Sequence, residues 1–353
     1  MMSGCGPRHP NCAALAIGSV PHEDAAAAVD FMLGHKPVCP AWPQMPNADF
    51  RENMYTQFTE CMPAAVIETA NRRIYFDEGR APEEMAVFYE SYLTGDVDFC
   101  ELGPDYARGL HELMTRRLPD EAEFIKGQVT GPSSFGLTVA DSGGKPVLYH
   151  GDLFEAVVKA LSLKGRWQAI RFKEKAPLLT PVVFFDEPYL TQVGSALISL
   201  SPEQVAGYLN ECYAAVHGAG MTGTHVCGGT DWGLLAATDV DILHFDAAGH
   251  AREFFLYEKE IAAFMERGGM LAWGIVPNDE TAFKSSAELL AEQVLRGAEK
   301  VAAFGPADLG SDEVLKRSFV SEACGVGSLS LDLAERCFSL TGSISSVLRD
   351  RIC

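Results

Sequence analysis

Eight short runs rich in Val, Ile, Leu and Phe, separated by longer stretches of helical period, constrain this chain more than any other feature. They span 13–20, 37–44, 123–130, 179–186, 220–227, 240–246, 269–276 and 318–324. Alternating strand and helix signals imply parallel strands joined by crossover helices. Helical stretches are expected at 23–33, 83–92, 104–116, 153–173, 202–217, 232–237, 251–267, 282–298 and 331–349. Ser201-Pro202-Glu203-Gln204 carries a particularly clear start signal: an N-cap serine, a proline at the first helical position and an acid in the first turn. Eight such units predict an α/β fold, a (β/α)8 barrel. The long excursion from about 46 to 120 reads as an insertion between strands two and three. No repeat or linker divides the 353 residues, so 13–353 is expected to be one barrel domain behind a short leader, 1–12, that the Gly/Pro/His-rich composition marks as disordered.

Polar residues beside Gly or Pro recur at one end of nearly every run: Gly18-Ser19-Val20-Pro21, Trp42-Pro43-Gln44, Thr130-Gly131-Pro132, Asp186-Glu187-Pro188, His225-Val226-Cys227-Gly228, Asp246 and Cys324-Gly325. Barrel enzymes carry their chemistry at the C-terminal ends of the strands. His225 and Cys227 are two apart in an extended segment, so they project to one side and can touch one cation. With Cys324 they offer imidazole and two thiolates, a donor set that suits zinc and leaves a fourth tetrahedral position for substrate. A histidine and a cysteine two apart are also compatible with a buried imidazole beside an inert core thiol; the ordering of polar strand ends favours the metal.

Composition narrows the function classes. With 48 acidic against 28 basic residues the formal charge is −20, which argues against nucleic-acid or anionic-membrane partners. Ten cysteines lie scattered, without the regular spacing of a secreted disulfide scaffold, so reduced thiols and a cytoplasmic location are expected. The apolar stretch 12–21 is too short to span a bilayer and reads as the first strand rather than a signal peptide. Cys5 and Cys12 offer a second candidate metal pair, but their wide spacing in a Gly/Pro/His-rich leader favours disorder over a site.

The joint occurrence of Ile17-Gly18-Ser19, Val129-Thr130-Gly131-Pro132, Asp186-Glu187-Pro188, His225-Val226-Cys227 and Cys324-Gly325, in that order, resembles the catalytic domain of cobalamin-independent methionine synthases and the related corrinoid-dependent methyltransferases of the uroporphyrinogen-decarboxylase-like superfamily. The resemblance covers most of the chain from about Ala13 onward. It implies zinc held by His225, Cys227 and Cys324, with the acceptor thiol as exchangeable ligand. Asp246 stands where that family has a glutamate ligand, and Asp186 where it grips the amino group of homocysteine. Gly18 and Ser19 match the turn that binds the substrate carboxylate. The chain looks like the short core form of the synthase, for which methylcobalamin or a methylated corrinoid protein is the expected methyl donor.

Two other functions fit parts of this pattern: methyl transfer to another thiol such as coenzyme M, and a noncatalytic corrinoid-binding or methyl-delivery module. An aspartate at 186 favours an amino-acid thiol. Further pocket candidates are Glu60, as a second carboxylate for the substrate amine, together with Trp42, Gln44, Trp273 and Asn278. His22 and His250 could reach the pocket but read first as surface histidines, and Glu187 reads equally as an orienting group or a structural residue. His244 alternates with Asp246 on one face of its strand and so competes for the metal.

Overall fold

The structure, a computed structural model, describes residues 8–192 and 198–352. Among the described residues there are nine strands: β1 (Ala13–Ala14), β2 (Ala65–Glu68), β3 (Arg73–Phe76), β4 (Phe124–Thr130), β5 (Thr180–Asp186), β6 (Met221–Val226), β7 (Ile242–Phe245), β8 (Met270–Val276) and β9 (Ser318–Glu322). Seven form one parallel sheet in the order β1-β9-β8-β7-β6-β5-β4, curled so that its two ends approach each other. The expectation of eight continuous strands is corrected here. The second run, 37–44, is not a ladder strand but makes isolated parallel bridges to both ends of the sheet, Ala41 to Lys126 and Ser19 to Gln44. Pro37, Pro40 and Pro43 lack the N–H that a continuous ladder needs, so the segment spans the gap with intermittent bonds, among them Lys126 N to Pro40 O and Gln44 N to Gly18 O. The sheet is therefore a curled half-barrel with this segment across its opening.

Helices cover the outer face. Their starts follow local capping chemistry: Ser201 and Gln204 form a reciprocal capping box at Pro202–Val216, and Asp24 and Ser286 cap Ala25–His35 and Ala287–Phe304. Strands β4 and β8 are buried along their whole length, as expected of parallel strands sandwiched between helices and an inner core. The expected helix at 251–267 is split into Ala251–Phe254 and Glu258–Glu266, and two short helices, Pro132–Thr138 and Ser311–Lys316, lie where none was expected.

The inner core is small and apolar at one end, containing Leu15, Phe124, Val182, Phe184, Ile242 and Phe319. Along the same inward faces, two residues further on, come Lys126, Asp186 and Ser321, with His244 beside Ile242, so polarity rises toward the C-terminal strand ends. The stretch 46–120 holds several 3-10 turns, the antiparallel pair β2 and β3, and helices Ala81–Thr94 and Arg108–Thr115. It also contains a disulfide, Cys61 to Cys100, which corrects the expectation that all thiols are reduced. Of the leader, 1–7, with Cys5, lies outside the described residues. Asn11 and Cys12 bond to the backbone of Lys316 and Ser318, and the buried Cys12 thiol donates to Leu315 O; the pairing of Cys12 with Cys5 lies outside the described residues. Among the described residues no helix is long and apolar enough to cross a membrane.

Candidate metal and substrate site

Parallel register brings the candidate ligands together. Asp186 pairs with His225, and His225 with His244, so the polar ends of β5, β6 and β7 stand side by side. Cys227 follows β6 directly, and Cys324 lies two residues past the end of β9. One ligand atom from each of His225, Cys227 and Cys324 lies within 4.8 Å of the others. They line a cavity of about 280 Å³ shared with Ser19, Gln44, Asp186 and Gly325. A larger cavity of about 700 Å³ lies at the N-terminal strand ends against Glu123 and Leu179, but no histidine or cysteine lines it.

Electrostatics separates the two thiols. Cys227 is drawn down to about 4, first by a hydrogen bond from Cys324 and then by His225. Cys324 is raised by the thiolate beside it and by burial. The arrangement therefore favours a thiolate on Cys227, the protonation state that binds metal. The donor set fits zinc: two sulfurs, one imidazole and a cavity beside them.

Asp186 faces the same cavity. Burial pushes its carboxyl up to about 6, with Lys126 and His225 opposing, and its Oδ1 is buried without a hydrogen-bond partner. An orphaned buried carboxylate oxygen is costly, and a cationic ligand would relieve it. Below it, the buried Lys126 ammonium donates to Ile17 O at 2.5 Å and to Gln128 Oε1 at 3.1 Å, bracing the turn that leads into Gly18. Gly18 has φ +147, and a Cβ there would sit 2.8 Å from Gln128 Cδ. Glycine thus lets the turn pass close over the polar layer. Ser19 lines the cavity, and its Oγ accepts from Gly327 N.

Several sequence candidates lie elsewhere. Glu60 does not line the cavity; it accepts from Gly103 N and is attracted to the buried Lys164. The Asp246 carboxylate accepts from Gly249 N at 2.7 Å and does not join the three ligand atoms; it is one methylene shorter than a glutamate and engaged in its own turn. Glu187 does not orient a metal ligand. It accepts from Ser133 N, Ser134 N and Ser134 Oγ, capping Pro132–Thr138. Trp42 is buried with its indole N–H on Gln168, and Trp273 bonds Ser318. His22 packs against Phe31, and His250 lies near Glu253.

His244 differs most from expectation. Both its ring nitrogens are engaged, Nδ1 with His225 Nδ1 at 2.8 Å and Nε2 with Ser321 Oγ at 2.6 Å, so it backs the site rather than competing for metal. Burial holds its pKa well below the ordinary histidine value. Period-two alternation placed it on the inner face; the missing information was Ser321, which lies 77 residues away.

No family model matches the chain, and no curated protein sequence matches it. Among solved structures, a candidate vitamin-B12-independent methionine synthase from Listeria monocytogenes superimposes with a TM-score of 0.50 at 13% identity, over 93% of this chain and 86% of that one. The likeness is one of fold. A B12-independent methionine synthase from Shewanella sp. W3-18-1, in complex with selenomethionine, aligns with a TM-score of 0.45 at 15% identity, over 69% of this chain and 66% of that one, just under two thirds of its length.

Proposed function

We propose that the chain is a zinc-dependent S-methyltransferase that transfers a methyl group from methylcobalamin or a methylated corrinoid protein to homocysteine, forming methionine. The observation that carries this reading is the convergence of His225, Cys227 and Cys324 on a cavity that also receives an unpartnered carboxylate oxygen of Asp186. Those three residues would hold the metal. Zinc bound there supplies Lewis acidity that lowers the pKa of an incoming thiol, ordinarily about 8.5, so that thiolate is present at neutral pH.

The remaining work falls to the protein's own groups. Asp186 accepts hydrogen bonds from the substrate ammonium, and the Gly18-Ser19 turn receives the carboxylate, which together fix the acceptor's orientation. The substrate sulfur uses its lone pair to form the new bond to the methyl carbon. The bond between methyl and donor breaks, its electron pair leaves with the corrinoid, and the thiol proton passes to solvent. An amino-acid thiol is favoured over coenzyme M because a sulfonate offers Asp186 no N–H to accept.

Metal analysis combined with turnover tests the proposal. The purified protein is expected to hold about one zinc per chain at the His225, Cys227 and Cys324 site. Cys227→Ser and Cys324→Ser should each lose most of that zinc and abolish methylation of homocysteine by methylcobalamin. Full zinc retention in both variants would overturn the ligand assignment. A fully loaded protein that methylates no thiol would instead support a delivery module.

A further inference from the structure

We infer that His244 and Ser321 form a buried relay that sets the tautomer of His225, leaving its Nε2 lone pair free for a metal. His244 is thus a positioning residue, and the inference rests on the zinc reading above only for its consequence in affinity.

The hydrogen-bond inventory leads to this assignment. The His225 and His244 Nδ1 atoms are 2.8 Å apart, so one must donate and the other accept. Ser321 decides which. Its hydroxyl has one proton and donates to a main-chain carbonyl, Glu322 O at 2.9 Å, with Trp273 O at 3.4 Å. Ser321 Oγ therefore accepts from His244 Nε2–H at 2.6 Å. A neutral His244 protonated at Nε2 has its lone pair on Nδ1 and must accept from His225 Nδ1–H. In its neutral form His225 is left with an unprotonated Nε2, the form that ligates a metal.

The surrounding fold makes room for this relay. His244 is fully buried and lies opposite Ala272 in the register of β7 and β8. Two residues further along β8, on the same face, comes Gly274, where a Cβ would stand 2.9 Å from His244 Cε1. Any side chain there would press on the ring. Metal-binding histidines commonly donate their second N–H to a carboxylate, carbonyl or water. Here the acceptor is a second imidazole, itself fixed by a serine hydroxyl from another strand.

The test has a spectroscopic readout and an affinity readout. Long-range 15N–1H correlation spectra of chelator-treated protein labelled at histidine, assigned with His225→Gln, should show His225 as the Nδ1–H tautomer. Zinc affinity, measured by competition with a chromophoric chelator, should fall roughly 10- to 100-fold in His244→Leu. It should be largely restored in His244→Gln, whose amide can accept from His225 and donate to Ser321. Ser321→Ala should mix the His225 tautomers. An Nε2–H tautomer in the metal-free wild type overturns the relay outright, even if no variant folds. So does unchanged zinc affinity in a folded His244→Leu. Absence of zinc binding in the wild type would defeat the metal reading, while the tautomer measurement would still decide the relay.

Discussion

Asp186 combines burial with an oxygen that no protein group satisfies, and this makes it the residue whose behaviour is most sharply predicted. Charge-assisted hydrogen bonds are worth about 1.5–3 kcal/mol. Asp186→Asn should therefore raise KM for homocysteine by about 10- to 100-fold and leave zinc content unchanged. A thiol without an amino group should lose nothing. The carboxyl is raised to about 6, and ammonium recognition needs the ionised form. The wild-type KM is accordingly expected to rise as pH falls below about 6, a dependence that Asp186→Asn should lack. Steady-state kinetics from pH 5 to 8 at constant ionic strength would show both. Equal KM values for the two proteins across that range would remove Asp186 from substrate binding.

At the scale of elements, Glu187 shows how a residue next to the chemistry can serve the scaffold. It follows β5 directly, is fully buried, and satisfies three donors at the start of Pro132–Thr138. Truncation to alanine would strand those donors, at a cost of about 1–3 kcal/mol each where water cannot reach them. Glu187→Ala is expected to be among the more destabilising single changes in the chain, losing about 3 kcal/mol in urea denaturation. The titration adds a sign. Burial raises this carboxyl from its ordinary 4.5 to about 7, so the folded state favours the protonated form. That contribution is present below pH 4.5 and is lost as pH rises through 7. Glu187→Gln, which cannot ionise, should show a smaller fall in stability over that interval.

The whole molecule is joined where its first and last parts meet. Lys36, just after Ala25–His35, donates at 2.7 Å to Glu322 Oε1 at the end of β9, and Thr341 of Leu331–Ile352 donates to the same oxygen at 2.6 Å. Both charges are essentially inaccessible to solvent. Removing one partner of such a pair leaves an uncompensated buried charge and costs about 3–5 kcal/mol, whereas replacing both can be nearly neutral. Lys36→Met should therefore unfold at markedly lower urea concentration, and the double variant Lys36→Met/Glu322→Leu should regain most of the loss. If the double variant were as unstable as the single one, the pair would not be what ties the end of Ala25–His35 to β9. Lys36 immediately precedes the segment 37–44, so this contact anchors the start of the stretch whose intermittent bonds cross the half-barrel's opening.

The sequence by itself determined the alternation of elements, the parallel sheet and the strand ends that carry His225, Cys227, Cys324 and Asp186. Those signals are local: period two in strands, longer period in helices, glycine and proline at the turns. Capping at Ser201 was legible for the same reason. Tertiary structure alone decided which polar strand ends touch, because register across a sheet depends on residues tens to hundreds of positions apart. It turned His244 from a rival ligand into the partner of His225, moved Glu60 and Glu187 out of the cavity, paired Cys61 with Cys100 and kept Asp246 in its own turn. It also broke the second strand, since whether three prolines can be tolerated depends on how many ladder bonds the neighbouring strands demand.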